Sequence, residues 1–255
     1  MRIAILGLGE AGALYASAAV AAGHTVTGFD PFAQTTPDGV ERAASTGEAV
    51  AEADLVVALT AASLSEQVAD ESLQAMRAGA TYADFTTADP AIMRAVAARA
   101  VQHDVAFADV AILGPVPVKG AATDVIVSGT GAESARTLLE ELGASVELLD
   151  DEAGAATSHK LLRSILMKGL ASVVLEAVAA GRAAGAEEWI RAQIARQLAG
   201  DGEATIRRFE VGTPKHAARR AHEMASVVRH LDGLGVPAEM SDATRRALER
   251  MTEAG

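Results

Sequence analysis

The sequence predicts an α/β fold, in which an N-terminal domain with a mostly parallel β-sheet precedes an all-helical C-terminal domain. Two observations predict this class. Up to about residue 150, short apolar runs alternate with amphipathic segments, as expected for strands joined by helical crossovers. From Glu152 onward no convincing strand pattern is found. We therefore expect two domains, residues 1–150 and residues 151–255.

The strands and helices follow from the periodicity of apolar residues. The predicted strands are residues 2–6, 24–29, 54–59, 80–85, 104–110, 124–128 and 144–149, with a faint further signal around residues 39–44. One helix is predicted from Pro90 to about Val101, because proline favours the first helical turn. Beyond the sheet, helical patterns cover residues 152–184, 187–199, 203–211, 214–232 and 239–251, with glycine and proline between them.

Composition excludes several classes of function. Half of the residues are hydrophobic but 3% are aromatic, so the interior must be packed mainly by Ala, Val, Leu and Ile. The formal net charge of −12 argues against a nucleic-acid partner, and the lack of cysteine excludes disulfides and thiolate chemistry. The most apolar window, residues 164–180, carries Lys168 and Glu176 and is short for a membrane span. We expect a soluble cytoplasmic protein without a membrane partner.

A glycine-rich motif, GLGEAG at residues 7–12, follows the first strand and opens a small-residue helix. Gly7 permits a tight turn, Gly9 lets the backbone approach a pyrophosphate, and Gly12 lets the helix lie against the sheet. The helix N-terminus then offers N–H donors to the phosphates. This is the pattern of a dinucleotide-binding Rossmann unit. Two alternatives stay open: a structural unit without nucleotide, and an S-adenosylmethionine site.

Asp30 ends the second predicted strand, where a carboxylate can accept hydrogen bonds from the adenosine ribose. A carboxylate there repels the extra phosphate of NADP, so we expect NAD as the cofactor. NADP stays possible, because Gln34, Thr35 and Thr36 offer other contacts. Thr60 and Thr86 follow two further strands, at the edge where such sheets bind ligands. The predicted cofactor-binding residues are Gly7, Leu8, Gly9, Glu10, Ala11, Gly12, Asp30, Thr60 and Thr86.

Two of the four lysines lie in the long helical segment after the sheet. Residues three or four apart share a helix face, so Lys160, Arg163 and Ser164 can point together, with Lys168 about one turn further on. Such a face could bind an anionic small-molecule substrate. The neighbouring His159 points about 100° away from Lys160 on a helix. No metal site is predicted, because the spacings of the three histidines in the predicted 214–232 helix do not suit one.

These features, taken in order, resemble the β-hydroxyacid dehydrogenases, the family of 6-phosphogluconate and 3-hydroxyisobutyrate dehydrogenases. The resemblance includes the N-terminal glycine motif, the segment DFTTADP at residues 84–90, the region Asp109–Gly120 in place of the substrate loop, and the helix that begins near His159-Lys160. The small C-terminal helical domain is most similar to a branch labelled phosphogluconate-dehydrogenase-like, whose substrate is unknown.

The chain departs from this family pattern in two places. The usual Ser-Gly-Gly of the substrate loop is replaced by Leu113-Gly114-Pro115, and the asparagines after the lysine are replaced by Arg163 and Ser164. The planar guanidinium of Arg163 still suits a carboxylate or phosphate, so an acidic substrate is expected. The predicted substrate-binding residues are Gly114, Pro115, Arg163, Ser164 and Lys168.

The resemblance implies hydride transfer between a nicotinamide and a small hydroxy acid, with Lys160 as the general acid/base. Two alternatives stay open. The same fold could reduce imines, as the changes at Leu113 and Arg163 suggest, or the protein could sense a nucleotide without catalysis. The helical domain is small, and its four short helices would hardly cover the apolar surface of its long helix. We therefore also expect a homodimer formed through the C-terminal helices.

Overall fold

The computed structural model describes residues 1–253 in two compact units, Met1–Arg163 and a second unit that begins at Ser164. The first unit contains the β-sheet, and the second is helical throughout its described residues. The predicted α/β class with a helical C-terminal region is confirmed. The units divide later than residue 150, because the first turns of the long helix are hydrogen-bonded to the sheet.

Within the described residues, eight strands form one sheet in the order β3-β2-β1-β4-β5-β6-β7-β8. Their bounds are β1 Arg2–Leu6, β2 Thr25–Phe29, β3 Val40–Arg42, β4 Leu55–Ala58, β5 Thr81–Asp84, β6 Ala106–Ile112, β7 Val125–Ser128 and β8 Val146–Leu148. Neighbouring strands are parallel except β6 and β7. The strand order reverses beside β1, and ligands bind at the carboxyl ends of the strands at such a point.

The helices of the sheet unit cover both faces of the sheet. Their bounds are α1 Glu10–Ala21, α2 Thr46–Val50, α3 Ser65–Leu73, α4 Pro90–Gln102, α5 Val116–Lys119 and α6 Ala132–Glu141, and α7 Ala155–Ala183 begins here. Two of them start with an N-cap that the sequence encodes. The Ser45 hydroxyl accepts from Glu48 N before α2, and the Asp89 carboxylate accepts from Ala91 N before α4.

The buried strands explain why most of the sheet is predictable from sequence. In β4 and β5 every residue is buried, because helices cover both faces of the sheet. Strands buried on both faces have short continuous apolar runs in their sequence. The edge strand β3 has three residues, of which Glu41 and Arg42 are exposed, and its signal in the sequence is correspondingly faint. Tyr82 and Phe107, whose rings stack 6.1 Å apart, supply much of the bulk on one face of the sheet.

The second unit continues α7 and adds four helices, α8 Glu187–Leu198, α9 Gly202–Lys215, α10 Ala217–Gly233 and α11 Glu239–Glu253. Helix α9 runs past residue 211, where the sequence predicted its end. Pro214 lies in its last turn, where one lost backbone hydrogen bond does not stop the helix. The Glu176 carboxylate accepts from the N–H groups of Met240 and Ser241, and it thereby fixes the first turn of α11.

Candidate active site

The glycine turn after β1 brings backbone atoms unusually close together. Gly7 has a φ of +91°, and its N–H donates to the carbonyl of Phe29 at 2.9 Å. A Cβ atom on Gly12 would lie 1.8 Å from the carbonyl oxygen of Gly7, so α1 can start here only with glycine. Around Gly9, by contrast, a Cβ would meet no described atom within 4 Å. The turn is therefore tight on its inner side and open on its outer side, as a pyrophosphate requires.

Asp30 joins the glycine turn to the loop after β2. Its Oδ2 accepts from Leu8 N at 2.8 Å, and its Oδ1 accepts from Phe32 N and Ala33 N at 2.8 and 3.1 Å. Burial raises the pKa of Asp30, but these N–H donors and Arg42 lower it more, so the pKa lies below its ordinary value. A carboxylate has about four acceptor positions, which leaves room for a ribose hydroxyl.

Arg42 lies beside this loop and was not singled out from the sequence. Its guanidinium donates to the carbonyls of Asp30 and Ala33 at 3.0 and 2.8 Å, and to Thr36 Oγ1 at 3.2 Å. Because the residue belongs to the weakly predicted edge strand, no sequence pattern pointed to this position. Arg42 thus puts a positive charge beside Asp30, where the sequence analysis identified only the negative charge of Asp30.

Thr60 and Thr86 lie beyond the carboxyl ends of β4 and β5. Among the described residues, their hydroxyls are buried and have no hydrogen-bond partner. An unpaired buried hydroxyl costs about 1 to 3 kcal/mol, so both positions fit groups that a ligand would satisfy. A Cβ on Gly7 would lie 3.3 Å from Thr60 Cγ2, which puts this threonine next to the glycine turn. The open turn and the unpaired hydroxyls together fit a dinucleotide.

Lys160 is hydrogen-bonded to the turn after β5. Its Nζ donates to Thr87 Oγ1 at 2.6 Å, so α7 and the DFTTADP segment meet at the carboxyl edge of the sheet. Thr87 has a φ of +56°, which is unusual for a β-branched residue. Thr87 was not among the site residues predicted from the sequence, although it lies in the segment that carries the family resemblance. The structure thus brings together Lys160, Thr86 and Thr87.

Two buried aspartates lie behind these groups. Asp84 in β5 and Asp109 in β6 are partners in the parallel ladder, and both are fully buried. Burial raises the pKa of Asp109, hydrogen bonds from Thr157 and Gly154 lower it, and the charge of Asp84 raises it again. The net effect holds the pKa of Asp109 above its ordinary value. A carboxylate within an otherwise apolar strand is the sequence signal that could have identified both residues.

The other predicted residues have varied surroundings. Gly114 and Pro115 are exposed after β6, just before the short helix α5. His159 Nδ1 lies 2.8 Å from the carbonyl of Ala155, so its ring is turned back to its own helix. Arg163 is exposed at the end of the first unit.

Ser164 and Lys168 belong to the second unit, where Lys168 Nζ donates to Ser164 Oγ at 3.4 Å. The role of these two residues, and of Gly114, Pro115 and Arg163, in binding a substrate stays a prediction.

The glycine turn, the carboxylate after β2 and the reversal of strand order define a dinucleotide-binding protein of the Rossmann class. Residues 2–149 match the NAD binding domain of 6-phosphogluconate dehydrogenase, and residues 182–251 match a domain of unknown function (DUF1932). The chain belongs to the β-hydroxyacid dehydrogenase family, as the resemblance in its sequence indicated. Its N-terminal region is an NAD(P)-binding domain.

Individual relatives agree with this assignment. A probable 3-hydroxyisobutyrate dehydrogenase from Mycobacterium bovis is 33% identical over 174 residues, which are 65% of this chain and 58% of that protein. An NAD-dependent L-serine dehydrogenase from Pseudomonas aeruginosa is 31% identical over 214 residues, which are 78% of this chain and 70% of that protein. Among solved structures, an imine reductase from Streptomyces aurantiacus superposes with a TM-score of 0.86 at 22% identity, covering 100% of this chain and 95% of that one. This last similarity concerns the fold alone.

Proposed function

We propose that the protein transfers hydride between a nicotinamide and a short 3-hydroxy acid, with Lys160 as the general acid/base. The observation that carries the proposal is the hydrogen bond of 2.6 Å from Lys160 Nζ to Thr87 Oγ1, the residue after Thr86, whose buried hydroxyl has no partner among the described residues. The names of the two relatives support the substrate class, because 3-hydroxyisobutyrate and L-serine are both small 3-hydroxy acids.

Each group of residues has a separate task in this proposal. The glycine turn and the N-terminus of α1 hold the pyrophosphate, and Thr60 and Thr86 offer their hydroxyls to the rest of the cofactor. When bound, the nicotinamide supplies or accepts the hydride. In oxidation, neutral Lys160 accepts the proton of the substrate hydroxyl, and in reduction its ammonium returns a proton to the oxygen. Thr87 accepts a hydrogen bond from Nζ and so helps to fix the position of the amine.

The acid end of the substrate needs a different partner. Leu113 stands where the family usually has a serine hydroxyl, so this chain requires another group for a carboxylate. We assign this role to the exposed guanidinium of Arg163, one helical turn after Lys160, together with the loop at Gly114 and Pro115. Ser164 and Lys168 complete the proposed set of substrate-binding residues. An anionic substrate of small size follows from this set.

Variants of the lysines test the proposal. The purified protein is assayed with NAD⁺ and a panel containing 3-hydroxyisobutyrate, L-serine and further 3-hydroxy acids. Lys160→Met is expected to lower kcat by about 10² to 10⁴, the contribution of a general acid/base, while the Kd for NADH stays within twofold. Lys215→Met is the matched control, because Lys215 is exposed in the last turn of α9 and has no role in the proposal. Full activity of Lys160→Met on any of these acids would contradict the role of Lys160.

The cofactor preference is tested separately by fluorescence titration with NADH and NADPH. We propose that NADH binds more tightly, because the charge of Asp30 repels an additional phosphate. Asp30→Ser should narrow the difference between the two cofactors. Arg42→Ala should weaken NADPH more than NADH, because a guanidinium suits a phosphate. Tighter binding of NADPH by the unmodified protein would overturn the assignment of Asp30.

Imine reduction is the second candidate. The fold of the Streptomyces imine reductase and the departures at Leu113 and Arg163 support it. The same panel therefore includes cyclic imines with NADH and NADPH. Turnover of imines alone would replace the hydroxy-acid proposal. Tight cofactor binding without turnover of any compound would favour a nucleotide-sensing protein.

A further inference from the structure

Asp109 stands in the middle of a strand that is otherwise apolar, and it is fully buried. Burying a carboxylate is costly unless donors surround it. Its Oδ2 accepts from the backbone N–H groups of Gly154 and Thr157 at 2.9 and 3.0 Å, and its Oδ1 accepts from Thr157 Oγ1 at 2.6 Å. Ser128 on the neighbouring strand adds a longer contact of 3.4 Å from its hydroxyl. Three of these four donors belong to the segment where α7 begins.

These bonds fix the start of α7 in both position and rotation. The first N–H groups of a helix have no partner inside the helix, so an acceptor in the sheet anchors the helix end. Ser128 Oγ takes a further one, from Ala156 N at 3.1 Å. The bond through the Thr157 side chain also prevents rotation about the helix axis. Lys160 follows Thr157 by three residues, so the face that it occupies is set by this anchor.

The partner of Lys160 is held by the neighbouring strand in a corresponding way. Asp84 Oδ1 accepts from Thr86 N at 2.8 Å, and its Oδ2 accepts from Ser65 Oγ at 2.6 Å. These two hydrogen bonds of Asp84 hold the turn that contains Thr87. Because Asp84 and Asp109 are partners in the β5–β6 ladder, adjacent carboxylates hold the two halves of the Lys160–Thr87 pair.

We infer that the Asp109–Thr157 pair is a positioning device for Lys160, and that Asp84 does the same for Thr87. This inference rests on the proposed function, in which Lys160 transfers the proton. Asp109 and Thr157 are positioning residues rather than catalytic ones, because their hydrogen bonds anchor α7 to the sheet. Their effect on the reaction is transmitted through the direction in which α7 presents Lys160.

The test uses the full chain and monitors the NMR signal of the Lys160 amine in the absence of substrate. Reductive methylation with [¹³C]formaldehyde labels four lysines and the amino terminus, and Lys160→Arg identifies the Lys160 signal in the NMR spectrum. Thr157→Val removes the hydroxyl at nearly constant volume, whereas Thr157→Ser keeps it. Thr137→Val is the control, because the Thr137 hydroxyl is bonded to Glu133 within α6.

We expect Thr157→Val to move the Lys160 signal toward those of the exposed lysines and to lower kcat at least tenfold, with the Kd for NADH within twofold. Thr157→Ser and Thr137→Val should keep the wild-type signal. If Thr157→Val does not fold, Ser128→Ala is used, and it should move the signal in the same direction by less. An unchanged Lys160 signal in the folded variant overturns the inference. A moved signal with full turnover supports the positioning but contradicts the proposed role of Lys160 in catalysis.

Discussion

Lys160 Nζ and Thr87 Oγ1 lie 2.6 Å apart, although 73 residues separate them in the chain. The bond joins the first turns of α7 to the turn after β5, within the compact unit that also contains the glycine motif. It therefore connects the proposed proton-transfer group to the edge of the sheet where a nicotinamide cofactor would lie.

Removing the acceptor at Thr87 should impair catalysis without unfolding the protein. Thr87→Val keeps the branched shape but loses the hydroxyl, so we expect kcat to fall about tenfold, the loss of one hydrogen bond of about 1.4 kcal/mol. Thr87→Ser should stay within threefold of the wild type. Steady-state kinetics on the active acid and a thermal melt measure the two effects. Equal activity of the valine and serine variants would show that the hydroxyl has no role.

The two sides of the glycine turn should respond differently to alanine. In Gly12→Ala the added Cβ collides with the carbonyl of Gly7, so we expect a lower Tm as well as lost cofactor binding. In Gly9→Ala the Cβ points into open space, so the Tm should be unchanged while the Kd for NADH rises more than tenfold. Differential scanning fluorimetry and NADH titration distinguish these outcomes. Normal NADH binding by Gly9→Ala would mean that the pyrophosphate lies elsewhere.

The pH dependence of stability should reveal the buried carboxylate of Asp109. Burial raises its pKa above the ordinary value of 3.8, so the folded state binds this proton more tightly than the unfolded state. The stabilisation that results from this proton is complete below pH 3.8, and it is lost as the pH rises through the folded-state pKa. The Tm of the wild type minus that of Asp109→Asn should therefore fall as the pH rises above 3.8.

Asp54 provides a comparison of opposite sign. The hydrogen bond from Arg2 N holds its pKa below the ordinary value, so its stabilisation is present above pH 3.8 and is lost as pH falls. The Tm difference between wild type and Asp54→Asn should therefore decrease toward acid pH. A difference for Asp109→Asn that does not change with pH would contradict the raised pKa.

Exposed apolar residues on the C-terminal helices lead us to expect a homodimer. Ile165, Leu175 and Trp189 are 74%, 70% and 64% exposed, and such patches commonly mark interfaces. Light scattering at micromolar concentration should give twice the chain mass, and Ile165→Glu with Leu175→Glu should give a monomer. Val101→Glu is the control, because Val101 is 65% exposed on α4 outside these helices.

Helix α7 is also long and apolar enough to cross a membrane by length and composition. The dimer measurement therefore includes flotation with phospholipid vesicles. A monomer that floats with the vesicles would contradict the dimer and assign the exposed face to lipid.

The sequence predicts the strands well because buried parallel strands have continuous apolar runs, and it predicts the glycine turn because the motif is local. The roles of Asp109 and Thr157 could not be predicted in this way. Their hydrogen bonds span 48 residues and depend on the register of β6 against its neighbours. The predicted end of α9 at residue 211 was also wrong. Pro214 indicates a helix boundary in the sequence, but in the structure it lies in the last turn of α9.

The division of the chain after Arg163 has a consequence for how such chains can diversify. The cofactor turn and Lys160 belong to one compact unit, while the matched domain of unknown function begins at residue 182. A chimera that takes a foreign helical region after Arg163 would inherit the proposed proton-transfer group together with the nucleotide site. Of the proposed substrate-binding residues, Ser164 and Lys168 would be exchanged in such a chimera, while Gly114, Pro115 and Arg163 would be inherited with the proton-transfer group.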